Sequence, residues 1–468
     1  MASLVAVIFS LAPYHFQRVG AGHAFLANYW AVPLIGILVL VVAGPRTDPF
    51  HDWAGRAATA RGRRLRSLLP IAGLALAIAS SSGYYDVFAV IVVGGVWLLS
   101  ALTHLLSGRP RRDLVRPTAA VLALVVVVGV ELLVLSLGYG ERSAPYFQGR
   151  TVAESELYAG RLLPLVLPWT GTGLPGLVRI TNLYLAGSAT STTTEPPGVP
   201  LVAAPAVAGL ILALLLYALG GPALRATAVG RLAADVRVRV LAVATLVAVS
   251  FYAVTGLGMA VALIAGPTIR AWARLSILIV LFALGLVALV LDRLPDRFQA
   301  RRLVPIAVVV VALLDQVVGV HRAVPLAPTD GAEIAAFVAA ADQRLPDGCG
   351  VVQLPLKSFP DSGRIGAMND YDEALPFLYT PAGHLRWSDG SVAGTRGWDV
   401  WSGVSDPAAF AAAVRSSGAC AIVVDTAAYQ SDPEGEAGWR ADVAAVTPAA
   451  DPSVTSSSGR LLLYEIAG

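Results

Sequence analysis

Residues Thr118–Leu137 read TAAVLALVVVVGVELLVLSL, twenty residues with a single charge, Glu131. A helix needs about 20 mostly apolar residues to cross a bilayer. This run meets that requirement and reads as a membrane span. Similar runs recur on both sides of it: Ala2–Tyr14, Asn28–Ala43, Leu68–Ser80, Val87–Leu106, Leu201–Leu219, Val240–Leu257, Leu275–Leu291 and Leu303–Val320. The expected fold is therefore a polytopic α-helical membrane protein with about nine transmembrane helices. Ala2–Tyr14 and Leu68–Ser80 are short, so re-entrant or bundle-buried segments are equally open for those two. Met1 is followed directly by apolar residues, without the basic start of a signal peptide.

Composition supports this reading. The 468 residues are 56% hydrophobic and 14% charged, where ordinary soluble domains have about 45–50% and about 25%. A soluble enzyme, a disordered chain and a nucleic-acid binder are all disfavoured. The net charge of +3 conceals two opposite halves. Residues 1–321 hold 25 Lys and Arg against 13 Asp and Glu, whereas residues 322–468 hold 9 against 18.

Short cytoplasmic loops accumulate Arg and Lys. In a nine-span arrangement 18 arginines, including Arg46, Arg61, Arg109, Arg239 and Arg301, fall on one side, and seven fall on the other. The N-terminus is then cytoplasmic, and residues 322–468 form an extracytoplasmic domain beyond the cytoplasmic (inner) membrane. In that tail Ile334–Arg344 and Pro407–Ser416 read as helices, and Val351–Leu356, Ala421–Asp425 and Arg460–Glu465 as strands, which predicts a small α/β domain. Cys349 and Cys420 each precede a strand. Neighbouring parallel strands would bring them within disulfide range; a bridge and two buried thiols both remain open.

The body, residues 1–321, is interrupted by a long outer loop at 138–200. Its stretch Val152–Val166 has helical spacing, with Glu154 and Arg161 on one face and Leu157, Leu162 and Leu165 on the other. An amphipathic helix on the outer membrane surface fits that pattern.

Polar residues near the outer face supply the site candidates. Pro13-Tyr14-His15-Phe16-Gln17-Arg18 and His23 combine aromatics with cations. Interfacial anchoring and recognition of an anionic head group both account for them. Arg270, Trp272 and Arg274 repeat the combination. Ser82-Gly83-Tyr84-Tyr85-Asp86 breaks a hydrophobic hairpin, either as a tight turn or as the lining of a cleft. Asp315 and Glu131 lie within spans, as buried hydrogen-bonding groups or as substrate-side carboxylates. Asp370, Tyr371, Asp372, Arg386 and Trp387 in the tail suit glycan binding or a surface held by its own ion pairs. There is no Gly-rich phosphate loop, dinucleotide fingerprint or nucleophile elbow. The histidines show no metal-ligand spacing, so no ligand set for a divalent metal is identified.

In order along the chain, several motifs resemble bacterial GT-C-type membrane glycosyltransferase-like proteins, a group that includes sugar translocases and YfhO-like proteins. They are Pro13-Tyr14-His15-Phe16 with Arg18 and His23, Gly83-Tyr84-Tyr85, Glu154-x-Glu156-Leu157-Tyr158, Arg270-x-Trp272-x-Arg274, Asp315-Gln316, Asp370-Tyr371-Asp372 and Leu385-Arg386-Trp387. Relatives carry an alanine-like residue where Asp86 stands and a histidine near Gly171–Leu174. Such enzymes place a catalytic carboxylate in a first outer loop, and the resemblance implies that this chain begins after that loop.

The resemblance implies sugar transfer from a polyprenyl-phosphate donor to a cell-envelope glycan acceptor. Glu154 and Glu156 become candidate bases. His15, Arg18, His23, Arg270 and Arg274 become phosphate or lipid-carrier ligands, and Tyr84, Tyr85, Asp86 and Asp315 become cleft lining. Translocation of a lipid-linked sugar, and non-catalytic glycan binding or assembly, are the alternatives.

Overall fold

The computed structural model describes residues 2–21, 23–56, 58–81, 83–148, 150–188, 195–295, 298–320, 331–357, 364–369, 371–388 and 396–466. The chain divides into two compact units. One is Met1–Val134 with Arg150–Leu326; the other is Leu135–Gly149 with Ala327–Gly468.

The first unit is helical. Its main elements are α1 (Ala2–Ser10), α2 (Pro13–Gly20), α3 (Val32–Val42), α4 (Ala60–Ala79), α5 (Gly83–Leu106), α6 (Val115–Gln148, whose end belongs to the other unit), α7 (Val152–Leu157), α8 (Ala204–Leu219), α9 (Val236–Tyr252), α10 (Ser276–Leu291) and α11 (Phe298–Gln316). Among the described residues three helices, fewer than the nine runs read from the sequence, are long and apolar enough to cross a membrane: Gly83–Leu106, Arg111–Gly138 and Trp272–Leu291. Val32–Val42 and Ala204–Leu219 are shorter apolar helices. Nothing in hydrocarbon can satisfy a peptide group except the chain itself, so continuous helices are the economical solution for such runs.

The three long helices differ in environment. In Trp272–Leu291, 67% of the most apolar window is buried, against 28% in Gly83–Leu106 and 17% in Arg111–Gly138. The first is the central helix, packed against α8 and α9; the last presents most of its surface outward. Leu133, Val134 and Leu137 are accordingly exposed.

Two expected elements differ. The run Ala2–Tyr14 is not one helix: α1 ends at Ser10 and Pro13 opens α2, because proline sets the helical φ at a first turn and cannot serve an interior one. The amphipathic helix expected over Val152–Val166 stops at Leu157. Beyond it, Gly160 pairs through its backbone with the end of α9. Its N–H donates to the Tyr252 carbonyl at 2.7 Å, and its carbonyl accepts from Val254 at 3.0 Å. A Cβ at Gly160 would land inside the Tyr252 ring, so only glycine allows this approach. Leu165, expected to face lipid, is buried, whereas Leu157 and Leu162 are exposed.

The second unit carries a five-stranded sheet. β1 (Cys349–Leu354), β2 (Leu385–Trp387), β3 (Ala419–Asp425), β4 (Val454–Thr455) and β5 (Leu461–Glu465) lie in the order β2-β1-β3-β5-β4. β1 is parallel to both β2 and β3; β5 is antiparallel to β3 and β4. Side chains alternate across the strands. Val351, Ala421, Val423 and Leu463 pack with Ile334 and Phe337 of α12 (Gly331–Arg344). Val352, Ile422 and Val424 pack on the other face with Phe410 of α13 (Pro407–Ser417) and Trp439 of α14 (Pro433–Val446). The α/β reading holds, with β2, α14 and β4 added. Cys349 and Cys420 form a disulfide across β1 and β3, with Cα atoms 5.7 Å apart.

Candidate functional site

A buried polar cluster of the first unit centres on Glu195, a residue the sequence reading does not single out. It begins the segment Glu195-Pro196-Pro197-Gly198-Val199-Pro200. Three prolines lock φ and exclude a helix, so the segment runs as an extended strap. Gly198 adopts a φ of +59°, and a Cβ there would meet the backbone of Tyr14. The strap therefore lies directly on the first turn of α2.

Two arginines converge on the carboxylate. Arg18 of α2, wholly buried, ion-pairs with Glu195 Oε2 and donates to the Pro196 carbonyl at 3.0 Å. Arg274 donates to Glu195 Oε1 from Nε at 2.9 Å and from Nη2 at 2.5 Å. Each guanidinium also lies over an aromatic face, Arg18 at 4.6 Å from the Tyr14 ring centroid and Arg274 at 4.4 Å from that of Tyr84. The rings supply a further attraction for the cations. The Tyr14 and Tyr85 hydroxyls are 3.2 Å apart, and Tyr85 donates to the Leu26 carbonyl at 2.5 Å.

Burial pushes the Glu195 carboxyl up, but Arg18 and Arg274 more than offset it and hold the group below the usual glutamate range. An ionised carboxylate so placed is a weak proton acceptor and a strong organiser of cations. Two guanidinium groups share its one negative charge, and both lie behind Glu195 rather than in the lining of a cleft. His23 is lowered, first by its own burial and then by Arg274, and is neutral at pH 7.

Glu195 borders an open cleft of about 710 Å³, lined also by Gln17, Arg161, Trp169, Tyr184 and Tyr252. Leu157, Gly160, Arg161 and Tyr184 belong equally to a wider groove of about 1700 Å³ that holds Glu154 and Glu156. The two are neighbours, with Arg161 in the lining of both. Glu154 closes the capping box of α7 and pairs with Arg270 Nη1, 3.1 Å from each carboxylate oxygen. Glu156 has no side-chain hydrogen bond or ion pair among the described residues.

The other expected residues have different surroundings. His15 meets the Ala27 carbonyl at 3.1 Å and stacks edge-on against Phe16 and Tyr29, as a structural anchor. Tyr84, Tyr85, Asp86 and Asp315 line neither the cleft nor the groove. The tyrosines support the arginines from behind. Asp86 accepts from the Val87 N–H at 2.9 Å in the first turn of α5, so the predicted hairpin break is a helix start. Asp315 is buried and accepts from the Leu201 N–H at 2.7 Å, while its carbonyl accepts from Trp169 Nε1 at 2.8 Å.

The tail residues do not form one glycan site. Asp370 lies outside the described residues. Asp372 pairs with Arg460 at 2.7 Å, and Arg460 in turn holds Asp425 at the end of β3. Arg386 donates to the Gly348 carbonyl at 2.9 and 2.7 Å, before the start of β1. β1 and β3 are parallel, so these groups stand at opposite ends of the strands. Trp387 donates to Thr380 at 2.7 Å and packs on the core, while Tyr371 is exposed. Among the described residues no three His, Cys, Asp or Glu side chains converge as metal ligands.

In comparisons with known proteins, no family model, curated protein or solved structure matches the chain.

Proposed function

We propose that the chain is a multi-pass inner-membrane protein of the GT-C glycosyltransferase type. In this reading it has about nine membrane segments, a cytoplasmic N-terminus and an extracytoplasmic α/β domain. The cleft beside Glu195 takes the phosphate of a polyprenyl-phosphate-linked sugar, and the adjoining groove takes a cell-envelope glycan acceptor.

The observation that supports this reading is a carboxylate, Glu195, at the wall of a largely apolar cleft beside Arg161, with two buried arginines clamped behind it. Arg161 lines the cleft and would meet a leaving phosphate there, while Arg18 and Arg274, held behind Glu195, add positive potential at the wall. Glu156 accepts the proton of the acceptor hydroxyl. The acceptor oxygen forms a bond to the anomeric carbon, the bond from that carbon to the phosphate oxygen breaks, and polyprenyl phosphate departs with the electron pair. Glu195 holds the arginines in place and is not the base.

The engagement of Glu154 and Glu195 by arginines supports a second reading, in which the lipid-linked sugar is bound or translocated without turnover. One experiment separates the two. The complete protein in nanodiscs is supplied with radiolabelled polyprenyl-phosphate sugar and envelope glycan, and bound lipid and released polyprenyl phosphate are counted. Transfer lost in Glu156→Gln with binding retained supports the enzyme. Binding without release in the native protein supports the second reading. Neither binding nor release ends both.

A further inference from the structure

The other end of the same helical unit carries a concave site that the proposed transfer does not use. α5 runs 24 residues from Gly83 to Leu106, about 36 Å at about 1.5 Å per residue. Tyr84 and Tyr85, at its start, support the cluster around Glu195. Its last turns, with the end of α3 and the starts of α6 and α9, surround an open pocket of about 1580 Å³. The two sites are thus separated by a helix slightly longer than the hydrocarbon core of a bilayer, about 30 Å.

Arg46, Arg109 and Arg239 line this pocket. Some arginines at this end are paired, Arg116 with Asp48 and Arg237 and Arg293 with Asp235. The three in the pocket have no carboxylate partner among the described residues. Arg239 donates to the Tyr217 hydroxyl at 2.9 Å and lies 4.5 Å over its ring, yet its buried Nε has no hydrogen-bond partner. A buried donor without a protein partner leaves a hydrogen bond for an acceptor from outside the chain to take. Asp113 is the one acidic residue lining the pocket; it is exposed and 3.9 Å from Arg112. His104 is held by the Pro110 carbonyl at 2.9 Å. The inner wall is apolar, formed by Val42, Val96 and Val243.

We propose that this pocket binds the phosphate of an anionic membrane lipid, with an acyl chain against the valine wall. Guanidinium forks match phosphate oxygens in pairs. Basic pockets between membrane helices take anionic head groups, each nearby Lys or Arg adding to the attraction. Soluble phosphate would gain nothing from the apolar wall. The inference requires the helical unit to lie in a bilayer and is independent of sugar transfer.

The test is lipid retention by the complete protein, measured by native mass spectrometry from detergent micelles containing phosphatidylglycerol or phosphatidylcholine. Arg46 and Arg109 are exposed, so Arg46→Gln with Arg109→Gln leaves the fold intact. The double variant is expected to bind phosphatidylglycerol roughly thirtyfold more weakly, with phosphatidylcholine unchanged. Ser100→Trp, which sets a bulky ring beside the valine wall and keeps all three charges, is expected to weaken phosphatidylglycerol binding as well. Millimolar inorganic phosphate is expected to leave bound phosphatidylglycerol in place. Undiminished phosphatidylglycerol binding in both variants overturns the proposal. Displacement by inorganic phosphate overturns the lipid assignment and makes the pocket a site for a soluble anion.

Discussion

Arg18 and Glu195 stand 177 positions apart in the chain and meet as a buried ion pair, with Arg274 on the other carboxylate oxygen. One side chain thereby ties α2, the strap and the entry to the central helix together. Truncating one member of such a cluster leaves the others charged and desolvated. Glu195→Ala is expected to cost about 3–5 kcal/mol. Thermal unfolding in micelles, followed by tryptophan fluorescence, measures this; an unchanged midpoint contradicts it.

The same carboxylate sets an acid limit. Its pKa is depressed in the folded protein, so its stabilising contribution is fully present above the unfolded glutamate value of about 4.3 and is lost as pH falls through the lower folded value. The midpoint difference between the native protein and Glu195→Gln is expected to be constant from neutral pH down to about 5 and to close only below about 4. A difference that closes between pH 7 and pH 5 would mean that Glu195 is not held by its arginines.

Gly160 admits nothing larger beside Tyr252. Gly160→Ala is expected to destabilise the protein by about 1–3 kcal/mol through overpacking. Because the clash is with one ring, the same substitution made in a Tyr252→Ala background should cost little further stability. Additive losses in the double mutant would place the strain elsewhere.

The Cys349–Cys420 bridge closes a span of 71 residues, for which a chain-entropy estimate gives about 4 kcal/mol. Alkylation of the denatured protein without reduction should add no mass, and alkylation after reduction should add two groups. Cys349→Ala with Cys420→Ala should lower the unfolding midpoint of the α/β unit.

The strands of that unit were legible because buried strands are short apolar runs. Val351–Leu356 and Ala421–Asp425 anticipate β1 and β3 to within two residues. The edge strand Leu385–Trp387 has only three residues and carries an arginine, so no periodicity announces it. The runs Val87–Leu106, Thr118–Leu137 and Leu275–Leu291 were legible for the same reason of length, and each falls in a helix long and apolar enough to cross a membrane. The segment after Glu154 was misread because its end is imposed by a partner backbone near residue 252, which local spacing does not report. Arg18 and Arg274 were found as cation–aromatic motifs, and the structure joins them. Glu195 was missed because it follows a Ser/Thr run and precedes prolines, where neither helical nor strand periodicity exists. The available signal was chemical: a single carboxylate, set in a Pro-Pro-Gly turn, in a stretch from Leu157 to Asp235 that holds no other acid before its end.

The strap from Glu195 to Leu201 is fastened at both ends, to the two arginines at one and to Asp315 at the other. Tension or slack introduced upstream of Glu195 is therefore absorbed before it reaches the cleft.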